Sequence, residues 1–291
     1  MLGDCHIHLA LDGYDYKAAL GRHREAVDDE PIHAALSRYR ELGVTFMRDG
    51  GDKFGVSRRA KELAPQYGID YRSPIFPIHR KGRYGGFIGR GYDNLTEYRQ
   101  LVAEAKAQGA DFIKLMLSGI MDFSHFGVIS DEPLPPSEVH DLVAIAHDAG
   151  FPVMAHVNGA DRMAAALDAG IDSLEHGGYA NDEVLHQLAE SKAVWVPTLV
   201  TIANLRGAGR FPEEDVQRLT RLHMDNIAAA HRYGAVIALG SDAGAWRVPH
   251  GSGTADELTL LTEVLGPDAT ELLQTGEKIL KERFPFVDNA V

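Results

Sequence analysis

The chain has 291 residues, and its 29 lysine and arginine residues are outnumbered by 42 aspartate and glutamate residues, giving a formal net charge of −13. This charge argues against nucleic acid or an anionic membrane as a partner, because neutralising phosphates requires clustered cations. The single cysteine excludes an internal disulfide, and no run approaches the roughly 20 apolar residues of a membrane span. We therefore expect a cytoplasmic protein that acts on a small-molecule substrate, with a homo-oligomer left open.

Apolar, strand-like runs alternate with amphipathic segments along the sequence, a pattern typical of a parallel sheet with crossover helices. The predicted strands are 2–9, 45–48, 70–76, 112–117, 153–157, 173–175, 194–197 and 236–240. The predicted helices are 31–42, 95–108, 137–148, 160–169, 182–191 and 213–233. Eight parallel strands in a chain of this length predict an α/β protein with one (β/α)8 TIM barrel, a single domain spanning residues 1–291.

Side chains that can bind metals occur at the carboxyl ends of these predicted strands, where barrel enzymes carry their chemistry. In the first strand, His6 and His8 are two residues apart, so strand alternation points both imidazoles to one face. Lys114 interrupts an apolar strand, where its charged form would be costly unless it is paired or modified. Three later strands end with His156, His176 and Asp242. Imidazole and carboxylate are ligands expected for zinc, manganese or iron.

The stretches that carry these residues resemble the amidohydrolase superfamily, in the subtype with two metals bridged by a carboxylated lysine. They are DCHIHL at 4–9, FIKLMLSG at 112–119, VMAHVNG at 153–159, AGIDSLEHGG at 169–178 and GSDAG at 240–244. The interval between the last two histidines (176 − 156 = 20) favours the imidazolonepropionase-like and Xaa-Pro dipeptidase-like branch over the phosphotriesterase-like one. Members of that branch usually add a small β-sandwich, but both ends of this sequence favour a barrel without it.

The resemblance implies two divalent metal ions, Zn²⁺ first and Mn²⁺ or Fe²⁺ as alternatives, with Lys114 carboxylated and bridging them. It assigns the two histidines of the first strand to one metal, shared with Asp242, and His156 and His176 to the other. A water held between the metals would be the nucleophile, and Asp242 would act as the general base. The expected reaction is hydrolysis of a C–N bond in an amide, lactam or dipeptide. A lactonase or phosphotriesterase-like esterase and a non-catalytic metal-binding barrel remain alternatives.

Cationic and aromatic side chains in two loops are candidates for contacts with the substrate. Arginine can bind a carboxylate through two parallel hydrogen bonds, although a solvated surface loop would have the same composition. The candidates after the third predicted strand are His79, Arg80, Arg83 and Tyr84, and those after the last strand are Arg247 and His250.

Other polar residues close to the strand ends are predicted to have structural roles. Asp49, after the second strand, is expected to cap or pair locally. Cys5 and Glu175 alternate with the ligand positions and should therefore face away from the metals. The histidines predicted to lie at the surface are His125, His140, His147, His186, His223 and His231.

Overall fold

Parallel strands form the centre of the molecule, of which the computed structural model describes residues 2–287. The strands are β1 (Asp4–Ile7), β2 (Phe46–Asp49), β3 (Asp70–Arg72), β4 (Pro77–Arg80), β5 (Arg90–Tyr92), β6 (Ile113–Met116), β7 (Val153–Val157), β8 (Ser173–His176) and β9 (Val194–Val196). Their order is β1-β2-β3 in one hydrogen-bonded sheet and β5-β4-β6-β7-β8-β9 in the other. The pairings between neighbouring strands are parallel in both sheets.

The segment 236–243 closes the barrel between β9 and β1. On one side, the backbone N–H of Trp195 donates to the carbonyl oxygen of Val236 at 2.9 Å. On the other side, the N–H of Cys5 donates to the carbonyl oxygen of Leu239, also at 2.9 Å. The predicted last strand therefore occupies the position between the first and seventh barrel strands, and the predicted (β/α)8 TIM barrel is confirmed.

The third barrel strand is divided, which the sequence did not predict. Its first part, β3, pairs with β2, whereas its second part, β4, pairs with β6. Between the two parts, Pro74 has no N–H to donate and Ile75 adopts a positive φ of 67°, so a continuous ladder cannot form. The short strand β5 then pairs with the free side of β4.

Helices surround the barrel, and each of the six predicted helices is present with its ends within two residues of the prediction. Side chains of Asn94 and Asn181 accept hydrogen bonds from the backbone at the starts of two of them, as N-cap residues do. None of the helices in the described part of the chain is both long and apolar enough to cross a membrane. The helices are α1 (Tyr16–Gly21), α2 (Asp29–Glu41), α3 (Val56–Leu63), α4 (Leu95–Ala107), α5 (Pro136–Asp148), α6 (Ala160–Asp168), α7 (Asp182–Glu190), α8 (Val200–Ala203), α9 (Glu213–Tyr233), α10 (Ser252–Leu265) and α11 (Ala269–Arg283).

An apolar layer fills the barrel below the proposed ligands, nearer the amino ends of the strands. Phe112 and Met154 stand two residues before Lys114 and His156, so strand alternation places them on the same inward face. They pack in one buried cluster with Phe284, which follows α11. The polar groups above this layer therefore stand on a dry, close-packed floor.

Candidate active site

Three of the proposed ligands converge where β1 meets the segment after the last strand. Nε2 of His6 and Nε2 of His8 lie 3.7 and 3.6 Å from the same oxygen, Oδ1 of Asp242. The backbone N–H of Asp242 also donates to the carbonyl oxygen of His6 at 2.6 Å, which fixes this carboxylate at the seam of the barrel. One ligand atom from each residue lies within 4.8 Å of the others, a grouping that can hold a metal ion.

Lys114 lies beside these residues and is completely buried. Its Nζ is 3.4 Å from Nε2 of His6. Burial lowers the pKa of Lys114 to about 8, although the nearby carboxylates of Glu175 and Asp242 oppose this change. The uncharged amine, which is the form that can react with carbon dioxide, is therefore far more abundant near neutral pH than it is in an exposed lysine, although the ammonium form still predominates.

His156 and His176 extend the cluster beside His6. Their ring centroids are 4.5 Å apart, and the ring of His176 is 5.0 Å from that of His6. His156 Nε2 lies 3.2 Å from the carbonyl oxygen of Gly119, and His176 Nδ1 lies 2.8 Å from the hydroxyl of Thr198. The structure thus brings all six predicted ligand residues into one cluster, in which four are buried and His176 and Asp242 are partly exposed.

The protonation states of these residues suit divalent cations. Burial lowers the pKa of His8 and of His156 to about 3 and that of His6 and His176 well below its usual range, so all four imidazoles are neutral. Neutral imidazole has the lone pair that a metal requires. Together with the convergence on one carboxylate oxygen, this donor set fits a divalent metal site.

The carboxyl group of Asp242 is poised between its two protonation states. Burial raises its pKa to about 7, with Lys114 acting in the opposite direction and Glu175 and Asp4 adding to the increase. Its side chain keeps 16% of its surface exposed, so it can meet a ligand in the cavity. Its backbone has a positive φ of 55°, a strained conformation that tends to occur at functional sites.

Glu175 faces the ligands, and the prediction that it points away was wrong. Its Oε2 lies 2.8 Å from Nδ1 of His6, and its Oε1 accepts hydrogen bonds from Arg48, at 3.2 Å, and from the hydroxyl of Ser173. Strand alternation does hold for Glu175, but His176 has a φ of 66° and leaves the strand there. Both neighbours can therefore reach the site. An acidic residue immediately before a predicted ligand was the sequence signal for this contact.

Two further expectations need correction. Cys5 is buried as a small apolar group, but it packs with Phe112 and Met154 inside the barrel, because β1 changes register between its ends. His223 is buried and not at the surface, and its Nε2 lies 2.9 Å from the carbonyl oxygen of Pro197.

Asp49 accepts hydrogen bonds from the backbone N–H of Leu9 and the hydroxyl of Tyr71, in agreement with its predicted structural role.

A cavity of about 620 Å³ opens above the ligand cluster, and Tyr84 is part of its wall. The ring of Tyr84 is 5.0 Å from that of His156. Burial and the carboxylates of Asp242 and Asp131 raise the pKa of Tyr84, so its hydroxyl remains protonated and can donate a hydrogen bond. Tyr84 is thus the one predicted substrate contact that the structure places on this wall.

The structure places the other five candidates for substrate contact outside the cavity wall. Arg80 pairs with Glu138 at 2.7 Å. The remaining cationic candidates interact locally, with His79 Nδ1 2.8 Å from the carbonyl oxygen of Arg80 and Arg247 donating to the carbonyl oxygen of Asn204. His250 lies between Tyr39 and Leu11, and Arg83 is half-buried away from the cavity.

The loops contribute wall residues that sequence reasoning did not select. The aromatic residues Phe87, Phe123, Phe211 and Trp246 line the cavity, as does Arg210. Their position in the sequence, in segments that follow predicted strands, could have indicated this role, because such loops lie above the carboxyl ends of the strands in a barrel.

The fold and the arrangement of this site agree with a family assignment. The model of the amidohydrolase family matches residues 4–278, nearly the whole described chain, and the chain belongs to that family. It is accordingly a hydrolase that acts on carbon–nitrogen bonds, as the sequence predicted.

Individual relatives show how far the similarity extends. An uncharacterized protein of Mycobacterium tuberculosis is 29% identical over 286 residues, which cover 94% of this chain and 70% of that protein. Ochratoxinase of Aspergillus niger is 28% identical over 315 residues, covering 94% of this chain and 63% of the enzyme, and its crystal structure superposes with a TM-score of 0.77 over 94% of this chain and 68% of that one. A crystal structure of a Xaa-Pro dipeptidase with bound methionine matches with a TM-score of 0.76 and 22% identity, covering 97% and 75% of the two chains.

Proposed function

We propose that this protein is a metal-dependent hydrolase that cleaves a C–N bond of a small amide, lactam or dipeptide. In this proposal two divalent cations, zinc first, are held by the ligand cluster of His6, His8, Lys114, His156, His176 and Asp242. When bound, such cations would activate water and polarise the carbonyl that is attacked. The observation that carries the proposal is the convergence of two buried, neutral histidines on one partly exposed carboxylate beside a buried lysine.

Asp242 is proposed as the general base. Its carboxylate borders the cavity, where it can take a proton from water and then, as the acid, return it to the leaving nitrogen. The position of Asp242 at the cavity wall, with Oδ1 near the imidazoles of His6 and His8, supports a double role as ligand and proton carrier.

Lys114 is proposed to act as a carbamate. The neutral amine would add to carbon dioxide, forming an N–C bond and releasing one proton, and the product would supply anionic oxygen ligands where an ammonium group would repel the metals. Tyr84 is proposed to orient the substrate by donating its hydroxyl hydrogen, because burial keeps this phenol neutral.

Metal analysis of protein purified with added bicarbonate tests the proposal. We expect about two metal ions per chain in the wild type and well under one in Lys114→Ala. ¹³C-labelled bicarbonate should give a carbamate signal in the wild type that is absent from this variant. Lys192→Ala, which changes an exposed lysine, is the matched control and should keep both metals and the signal.

Assays with amides, dipeptides, lactams and esters complete the test. Turnover of at least one C–N substrate that depends on added metal is the expected result. One metal or none in the wild type would contradict the binuclear site. Two metals with turnover of esters alone would indicate an esterase, and two metals without turnover would indicate a binding barrel.

A further inference from the structure

The wall of the cavity is mostly apolar and carries aromatic rings from several different loops. Tyr84 and Phe87 follow β4, Phe123 follows β6, and Phe211 and Trp246 come from the last two loops of the barrel. The rings of Phe123 and Phe211 are 5.4 Å apart, and those of Phe211 and Trp246 are 6.2 Å apart. A wall of this kind suits a ligand that carries a ring or another large apolar group.

Arg210 is the guanidinium group on this wall. Its Cζ lies 4.9 Å from the ring centroid of Trp246 and 5.2 Å from that of Phe211. Arg80 and Arg90 are neutralised by glutamates, but Arg210 forms no ion pair within residues 2–287. Lys114, the other side-chain cation of the cavity apart from histidine, is buried at its floor.

Aromatic contacts of this kind restrict the guanidinium group without consuming its hydrogen-bond donors. The N–H groups lie in the plane of the guanidinium and form a fork that matches both oxygens of a carboxylate. The overall charge of −13 disfavours the approach of anions, so an anionic ligand would require a local cation such as this one. Because Arg210 is exposed, such a ligand would place its anionic end at the mouth of the cavity.

We propose that Arg210 binds a carboxylate at the mouth of the cavity, and that the substrates are therefore amides that combine a ring-sized apolar group with a free carboxylate. The identification of this ligand as a substrate rests on the function proposed above. Binding of the carboxylate does not depend on turnover and can be measured separately.

Binding of phenylbutanoate and of the matched neutral phenylbutanamide to the metal-loaded protein tests this proposal. Calorimetry gives the affinity for each ligand. In the wild type we expect the acid to bind about tenfold more tightly than the amide, as for a charge-assisted hydrogen bond. In Arg210→Gln the acid should bind no better than the amide, while the affinity for the amide stays unchanged. Arg206→Gln, in the same loop and off the wall, should behave as the wild type.

Equal affinities of the wild type for acid and amide would overturn the proposal. A preference for the acid that survives in Arg210→Gln would also overturn the proposal. If that preference then disappeared when the metals were removed by chelation, the carboxylate would be assigned to the metals. A failure of the proposed hydrolase function looks different: neither acidic nor neutral amides are hydrolysed, while the preference of the wild type for the acid persists.

Discussion

The proposed ligands depend on a second group of buried side chains that hold them in place. Glu175 lies between His6 and Arg48, and both partners of Glu175 are fully buried. A carboxylate next to Nδ1 of His6 favours the tautomer with hydrogen on Nδ1, which leaves Nε2 free for a metal. Arg48 in turn donates a hydrogen bond to Oε1 of Glu175 at 3.2 Å and holds this buried side chain in place.

Replacing Glu175 should therefore weaken metal binding although it is no ligand itself. For Glu175→Gln we expect the metal affinity to fall by about 10–100-fold, measured by titration of metal-free protein. Glu190→Gln, an exposed change, should leave the affinity unaltered. An unchanged affinity in a folded Glu175→Gln protein would contradict the proposed role.

Replacing the carboxylate of Glu175 by an amide also leaves the buried guanidinium of Arg48 without an anionic partner, at a cost of about 3–5 kcal/mol. Ser173→Ala is the milder companion variant, because it removes one hydrogen bond to Glu175 and keeps the charge. It should lower metal affinity in the same direction by a smaller factor.

At the scale of the elements, the regular parts of the fold were predictable and the loops were not. Helix α9 has the predicted bounds, since its apolar face repeats at helical spacing over 21 residues. The loops have no such periodicity, and Arg210 could not be placed beside Trp246 from the sequence. The inward position of Glu175 was missed for another reason: a positive φ at a histidine leaves no trace in a pattern of apolar residues.

The short helix α8 shows how one element supports another beside the cavity. Glu257, buried on α10, accepts hydrogen bonds from the backbone N–H groups of Leu199 at 3.0 Å and of Val200 at 2.6 Å. It thus satisfies groups at the start of α8, which carries Ile202 on the cavity wall.

Burial raises the pKa of Glu257 from 4.5 to about 8, which predicts a pH dependence of stability. The folded state binds this proton more tightly than the unfolded state, so the stabilisation is complete below pH 4.5 and is lost as the pH rises through 8. Denaturant unfolding should show a smaller decrease over this window in Glu257→Gln than in the wild type. Glu263→Gln, exposed on the same helix, should follow the wild type. If the free energy of unfolding changed with pH in the same way in all three proteins, Glu257 would not be the group responsible.

At the scale of the whole molecule, the barrel depends on how closely α11 packs on its last strand. Gly276 provides the space, since a Cβ there would lie 2.1 Å from the carbonyl oxygen of Ile237. Main-chain atoms of a barrel strand cannot yield as a flexible side chain can.

Gly276→Ala should consequently lower the free energy of unfolding by about 1–3 kcal/mol. Each kcal/mol should lower the melting temperature by about 2–4 °C. Thermal unfolding measures this change. Gly21→Ala is the control, because no atom lies within 4 Å of a Cβ at that helical glycine, and it should not lower the melting temperature. Equal melting temperatures for the two variants would show that α11 can move without cost.

The meeting of β1 with the last barrel segment also determines what a bound ion would do to the chain. An ion held by His6 and Asp242 would join positions 236 residues apart (242 − 6 = 236) in a chain of 291 residues. Such a link restricts the unfolded chain as a disulfide does, in a protein whose single cysteine cannot form one internally. The supply of metal would then govern resistance to proteolysis as well as activity.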